Sequence, residues 1–165
     1  MSDEIFDVVN ERDEVIGREV RREVHRQGLK HRAVHVLVFN RRGEVFLQKR
    51  SHQKDTFPGA WDSSASGHLD SGEAYDACAL RELREELGFT PPVAPVRLFK
   101  VDACEETGQE FVWVYRCEGE GPFELHPEEI ERGGWFTPAE ATRWMAERPQ
   151  EFASALVLIW RRLHA

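Results

Sequence analysis

From Gly67 to Phe89 the chain reads GHLDSGEAYDACALRELREELGF. Seven residues in it, Gly67, Glu73, Arg81, Glu82, Glu85, Glu86 and Gly88, fit the spacing G-x5-E-x7-R-E-U-x-E-E-x-G-U, where U is a bulky apolar residue and Leu83 and Phe89 fill those places. Between Glu73 and Leu87 there is no Gly, no Pro and little β-branching, which predicts a helix. On that helix Ala79, Leu80, Leu83 and Leu87 form one apolar stripe, and Glu82, Glu85 and Glu86, related by i+3 and i+4, converge on the next stripe round. Carboxylates gathered this way repel one another unless a cation lies among them. Hard divalent ions prefer oxygen ligands. Such an ion can neutralise phosphate charge, orient a scissile diphosphate and activate a water. A solvated acidic face is the ordinary explanation of a Glu-rich helix. The glycine-bearing loop, the acidic first turn and the Arg–Glu pair, all at fixed offsets, argue against it here.

The helix boundaries follow from the same stretch. Ser71 lies two residues before Glu73, and Glu73 and Asp76 are expected in the first turn, where the macrodipole favours acids. Gly88 supplies a stop, and Pro91 and Pro92 prevent resumption. Cys78 is expected to point away from the carboxylate face.

This segment is the Nudix box, residues 67–89, and the chain resembles the Nudix hydrolase superfamily. The resemblance implies an α/β fold, an α/β/α sandwich with a mixed sheet, and an enzyme that hydrolyses a diphosphate linkage with Mg²⁺ or Mn²⁺. It implies Glu82, Glu85 and Glu86 as metal ligands, with Glu82 foremost as the group that orients or deprotonates the attacking water. Glu73 and Arg81 are implied as partners that stabilise the loop–helix geometry at the catalytic centre. A backbone carbonyl at Ser66 or Gly67 and one later acid complete the implied set. Glu110 is the first choice for that acid, with Glu105 and Glu106 as alternatives.

The bulk properties bound the rest. At 165 residues, with a 41% apolar fraction, five Trp and ten Phe, the chain can bury a substantial core and is expected to form one domain, 1–165. The net charge of −8 argues against nonspecific binding to nucleic acid or to an anionic membrane. The expected partner is a small-molecule diphosphate. The opening MSDEIFDVVNERDE has no signal-peptide character, and no apolar run approaches a membrane span. Cys78, Cys104 and Cys117 form an odd set without C-x-x-C, which points to a reduced, cytoplasmic setting and to structural thiols.

Along the chain the elements are short and mixed. IFDVVN and EVIGREVRR read as a strand pair around Asn10–Glu14. Ala33–Phe39, the turn Asn40–Gly43 and Val45–Leu47 read as a hairpin. Ser51–Gly59 is a loop, and Trp61–Ser66 leads into the box loop. Strand-like runs recur at Val96–Val101, Phe111–Cys117 and, briefly, Trp135–Phe136. Thr137–Pro138 opens a helix through about Ala146, and Phe152–Leu163 is a last helix packed by Leu156, Ile159, Trp160 and Leu163.

The run HRAVHVLVFNRRGEVFLQKRSHQKDTFPGAWDSSASGH also resembles type 1 isopentenyl-diphosphate isomerases and their hydrolase-like relatives. With the box, this resemblance covers well over half of Val8–Phe136. It raises a different chemistry, allylic isomerisation by proton transfer. Those isomerases carry an essential cysteine just before the box glycine, where this chain has Ser66, a far weaker acid. They also hold a metal on histidines and two glutamates. His25, His31, His68 and Glu110 match that set, but Gly108 stands where the second glutamate would be. Purely structural histidines are the other reading. A third function, a noncatalytic nucleotide sensor, would be marked by an eroded box or a fused nucleic-acid module, and neither is present. On the substrate side Lys49, Arg50 and Lys54 are the candidate cations. Alternation puts Lys49 and Arg50 on opposite faces, so only one of the two can face a substrate. Phe57 and Trp61 can stack on a base or pack the loop.

Overall fold

The computed structural model describes residues 4–165; Met1–Asp3, which the 1–165 domain reading includes, lie outside them. A two-stranded antiparallel ribbon, β1 (Ile5–Val9) and β2 (Val15–Val20), opens the fold. A short helix, α1 (Arg21–Gln27), runs straight on from it. The main sheet has seven strands: β3 (His31–Phe39), β4 (Val45–Arg50), β5 (Trp61–Asp62), β6 (Ala65–His68), β7 (Val96–Val101), β8 (Glu110–Glu118) and β9 (Ile130–Phe136). Its path is β5-β4-β3-β8-β7, with β6 on β3 and β9 on β4. The β3–β8 pair is parallel and the other pairs are antiparallel, so the sheet is mixed.

Strand β3 explains the layering. It is buried almost throughout, as a central strand covered on both faces must be. Val34, Val36 and Val38 pack with Ala79, Leu83 and Leu87 of helix α2 (Tyr75–Leu87). Ala33, Leu37 and Phe39 pack on the opposite face with Met145 of α3 (Pro138–Glu147) and Leu156 and Ile159 of α4 (Ser154–Leu163). The result is the α/β/α sandwich expected from the sequence.

Several boundaries differ, each for a local reason. EVIGREVRR is strand only as far as Val20; Arg21 starts α1, which Gly28 ends in the left-handed region at φ 64°. One buried residue, Val24, gives α1 too little periodicity to announce itself. Strand β9 begins at Ile130, well before Trp135, through a Gly133–Gly134 pair of low strand propensity. The glycine is required by packing: a Cβ on Gly133 would lie 2.2 Å from Cζ of Phe46. Trp61–Ser66 holds the short strand β5 and the start of β6, which runs on to His68, and α4 starts at Ser154. Helix α2 starts after Ala74, so Glu73 precedes the first turn while Asp76 lies in it. Ser71 does not cap the helix; its hydroxyl donates to Asp7 at 2.7 Å, tying the loop to β1.

Asp13 joins the ribbon turn to the sheet. It sits at φ 59°, and its carboxylate accepts from Arg32 Nε (2.7 Å), Tyr75 Oη (2.7 Å) and Lys100 Nζ (2.6 Å). Burial alone would raise its pKa, but those three donors outweigh it and hold the carboxyl below its ordinary value. Its stabilising contribution is therefore present above the unfolded pKa and is lost as pH falls through the folded one. Asp13→Asn keeps the left-handed turn conformation but removes the charge that three half-buried groups share. Urea denaturation is expected to show a loss of about 3 kcal/mol at pH 7, shrinking below about pH 4 as the native carboxyl itself is neutralised.

Candidate active site

The box loop and α2 form one wall of a cleft of about 590 Å³. Arg81 organises that wall. Its guanidinium donates to Glu73 through Nε and Nη2 (both 2.8 Å), to Glu82 (2.7 Å), to Glu85 (3.1 Å) and to the His68 carbonyl (3.0 Å). Hydrogen bonding to Glu73 pushes the arginine further up from its already high pKa. Burial would raise the Glu73 carboxyl, but Arg81 brings it below the ordinary range. Glu73 therefore works from outside the helix, where it fixes the loop by also accepting from the Asp70 amide (3.1 Å).

Glu82 and Glu86 are buried, while Glu85 is exposed. Burial raises the pKa of Glu82; burial and the neighbouring Glu82 raise that of Glu86 well above the carboxylate range. Gln48 Nε2 fixes Glu86 at 2.6 Å, and the Ser66 amide lies 3.4 Å from the same oxygen. Two buried acids facing each other with Arg81 as their near cation form the kind of oxygen donor set a divalent ion would neutralise. The loop leaves room for them: a Cβ on Gly67 would fall 2.2 Å from Cδ of Glu82. Glu82, Glu85, Glu86 and the Ser66–Gly67 backbone thus meet on one wall, and this oxygen donor set fits a hard divalent cation.

Cys78 does not point away from this wall. It precedes Glu82 by four residues and shares its stripe, with Sγ 3.5 Å from the His68 carbonyl; burial pushes its thiol up.

Glu110 lines the same cleft but reaches histidines. Its Oε2 is 2.7 Å from His68 Nε2 and 3.4 Å from His31 Nε2. Burial would raise its carboxyl, but His68 and His31 pull it below the ordinary range. Parallel pairing of β3 with β8 sets Glu110 opposite His31, and antiparallel pairing of β3 with β6 sets His68 opposite Ala33. His25 of α1 completes the group, its pKa lowered by burial and by His68 and His31 to about 4. The alternative acids Glu105 and Glu106 also line the cleft.

Of the substrate-side candidates, Arg50 and Lys54 line this cleft and Trp61 does not. Arg50 is held by Asp62 (3.1 Å) and the Thr56 carbonyl (2.8 Å), and Lys54 pairs with Glu129. Trp61 pairs with Lys49 across β4–β5 and shares its face, opposite Gln48, Asp62 and Arg50. Its ring packs against Phe136 and Trp144, at centroid distances of 5.5 and 5.3 Å, beside a second cleft. Phe57 borders the carboxylate cleft. Gln48 belongs to no motif; its one sequence signal is a lone amide between Leu47 and Lys49 on a buried strand.

The NUDIX domain family matches residues 29–156. The chain belongs to the Nudix hydrolase family. It is 36% identical over 156 residues to an uncharacterized Nudix hydrolase of Yersinia pestis, covering 94% of this chain and 85% of that one. It is 33% identical over 162 residues to the uncharacterized Nudix hydrolase YfcD of Escherichia coli, covering 98% and 89%. Its fold matches the crystal structure of DR0079 from Deinococcus radiodurans with a TM-score of 0.84 at 30% identity, over 96% of this chain and 98% of that one. The NUDIX domain of Shewanella oneidensis NrtR, solved with ADP ribose, shares the fold at TM-score 0.63 and 16% identity, over 88% and 97%.

Proposed function

We propose that this protein is a metal-dependent pyrophosphohydrolase that cleaves the diphosphate linkage of a nucleoside diphosphate derivative or a related small diphosphate. The observation that carries this reading is the buried Glu82–Glu86 pair, held by Arg81 and Gln48 in a cleft that also presents Arg50 and Lys54. Glu82, Glu85, Glu86 and a carbonyl at Ser66 or Gly67 would hold Mg²⁺ or Mn²⁺. When bound, the ion offsets charge on the phosphoryl oxygens and acidifies a water.

The chain's own residues do the positioning. Glu73 holds Arg81, Arg81 holds Glu82, and Glu82 is the group best placed to orient the attacking water or take its proton. Arg50 and Lys54 offer positive charge to the substrate's phosphates against the chain's net charge of −8. Double-bond isomerisation has no counterpart among the relatives above, which are named Nudix hydrolases. Ser66 supplies a hydroxyl where that chemistry uses a thiol.

Free thiols at Cys78, Cys104 and Cys117 support a reducing, cytoplasmic setting. No helix among the described residues is long and apolar enough to cross a membrane.

The test is product release, scored by mass spectrometry, from nucleoside di- and triphosphates, nucleotide sugars including ADP ribose, dinucleotides and isopentenyl diphosphate with Mg²⁺ or Mn²⁺. Metal-dependent cleavage of one class is expected. An allylic isomer without hydrolysis would overturn the reading. Ser66 contributes its backbone, so Ser66→Ala is expected to keep kcat within about twofold, as for a surface substitution that removes no partner. A loss of a hundredfold there would reassign the hydroxyl to the reaction.

A further inference from the structure

The second cleft, between β4, β5, β9 and α3, has a volume of about 720 Å³ and lies on the sheet face opposite the carboxylates. That volume is in the range of small-molecule sites. Strand pairing builds it in rows. Trp61, Lys49 and Arg132 stand side by side across β5, β4 and β9, and Gly134 and Phe136 follow Arg132 on the same face of β9. Alternation turns Lys49 to this side while Gln48 and Arg50 serve the other, and no residue lines both clefts.

Gly134 is the telling residue. A Cβ on its neighbour Gly133 would strike Phe46, whereas a Cβ on Gly134 would meet the Phe136 ring at 3.4 Å, an ordinary contact. Gly134 does not take a left-handed φ either. Neither collision nor backbone conformation calls for a glycine here, and glycine weakens a strand. What the missing side chain leaves is a strip of bare peptide between Arg132 and Phe136, a floor on which a flat ring can lie.

The walls stand ready. Trp144 of α3 packs 5.2 Å from Phe136 and 5.3 Å from Trp61 between ring centroids, and its Nε1 donates to Glu151 at 2.8 Å, which fixes the indole. Lys49 pairs with Glu131 at 2.9 Å. Among the described residues no carboxylate pairs with Arg132, whose guanidinium lies over the Trp61 ring, 5.6 Å from its centroid. An uncommitted guanidinium can both stack on a ring and fork to a phosphate.

We propose that this cleft is a second ligand site, for a nucleoside monophosphate whose base lies on Gly134 beside Phe136 and Trp144 and whose phosphate takes Arg132 and Lys49. A flat ring alone would leave the charge of Arg132 unused, and a bare phosphate would leave the aromatic wall uncovered. The two joined satisfy both. The choice of a nucleotide among planar anions rests on the hydrolase reading, because cleavage of a nucleoside diphosphate derivative releases a nucleoside monophosphate.

The full chain, stripped with chelator so that the carboxylate cleft repels phosphate, is titrated with AMP, GMP, CMP and UMP. Calorimetry gives the affinity, and the fluorescence of Trp61 and Trp144 reports occupancy. One of the four is expected to bind one per chain with a Kd below about 1 mM. Arg132→Gln, a change to an exposed side chain, is expected to weaken it at least about tenfold. Gly134→Val, which fills the floor with a residue that strands favour, is expected to abolish it. Lys54→Gln, in the carboxylate cleft, is expected to leave it unchanged. No binding by any of the four, or affinity unchanged in the folded Arg132 variant, would overturn the proposal. So would binding lost in Lys54→Gln and kept in Arg132→Gln, which would move the ligand to the carboxylate cleft. Binding is read without metal or turnover. A chain that binds here and hydrolyses nothing therefore sinks the hydrolase reading alone, and one that hydrolyses without binding here sinks this proposal alone.

Discussion

Glu86→Gln is expected to leave a folded protein whose turnover is lower by at least about a thousandfold, equivalent to roughly 4 kcal/mol of transition-state stabilisation. Gln at this position still accepts from Gln48 Nε2 and from the Ser66 amide, because its side-chain oxygen takes the place of the carboxylate oxygen that now does so. What disappears is a negative charge that is costly to bury in the absence of metal, as the raised pKa of both Glu86 and Glu82 shows. The metal-free variant should therefore melt at or above the wild-type temperature. The ranking reverses with Mg²⁺: an ion that binds only the folded wild type raises its Tm by mass action, and the variant gains little. Glu82→Gln should lose turnover similarly. Its hydrogen bond from Arg81 at 2.7 Å weakens from charged to neutral, so a small loss of stability accompanies it. Steady-state kinetics and melting curves with and without Mg²⁺ check both variants. Near-normal rates in the pair at saturating Mg²⁺ would sink the assignment of the ion to these carboxylates.

The sequence made this wall legible because fixed side-chain types were needed at fixed offsets. The i+3 and i+4 spacing of Glu82, Glu85 and Glu86, the stop at Gly88 and the strand Val96–Val101 all follow from local periodicity. What stayed hidden depends on contacts between distant segments. Trp61 is on the wrong face for the carboxylate cleft because β5 pairs with β4 in a register that matches it to Lys49, and a two-residue strand carries no pattern from which to read that register. Gln48 matters only because β4 passes 38 residues away in sequence from its partner Glu86. Glu110, the first choice for the later acid, lines the same cleft as the box glutamates, and the parallel β3–β8 pairing also sets it beside His31, a neighbour that a parallel pair joined through the whole of α2 leaves without local trace.

Gly67→Ala is expected to separate folding from catalysis most sharply. Gly67 is not in the left-handed region, so alanine meets no backbone strain there. Its Cβ, however, would stand 2.2 Å from Cδ of Glu82 and 2.5 Å from both carboxylate oxygens. The colliding atoms are the end of a side chain, which can swing aside at modest cost, so the domain should fold and lose only about 1–2 kcal/mol. The movement takes Glu82 away from Glu86 and from Arg81, and a displacement of about 1 Å in a positioning group is enough to lower turnover about a hundredfold. Mg²⁺ affinity should fall with it. Gly17→Ala, where an added Cβ meets nothing within 4 Å, is the control and should be silent. The decisive comparison is a double-mutant cycle with Glu82→Ala. Once the carboxylate is gone the alanine methyl has room, so the stability cost of Gly67→Ala should vanish in that background. A cost that persists there would place the clash elsewhere, and a Gly67→Ala enzyme with wild-type kcat would mean that the position of Glu82 does not govern the rate.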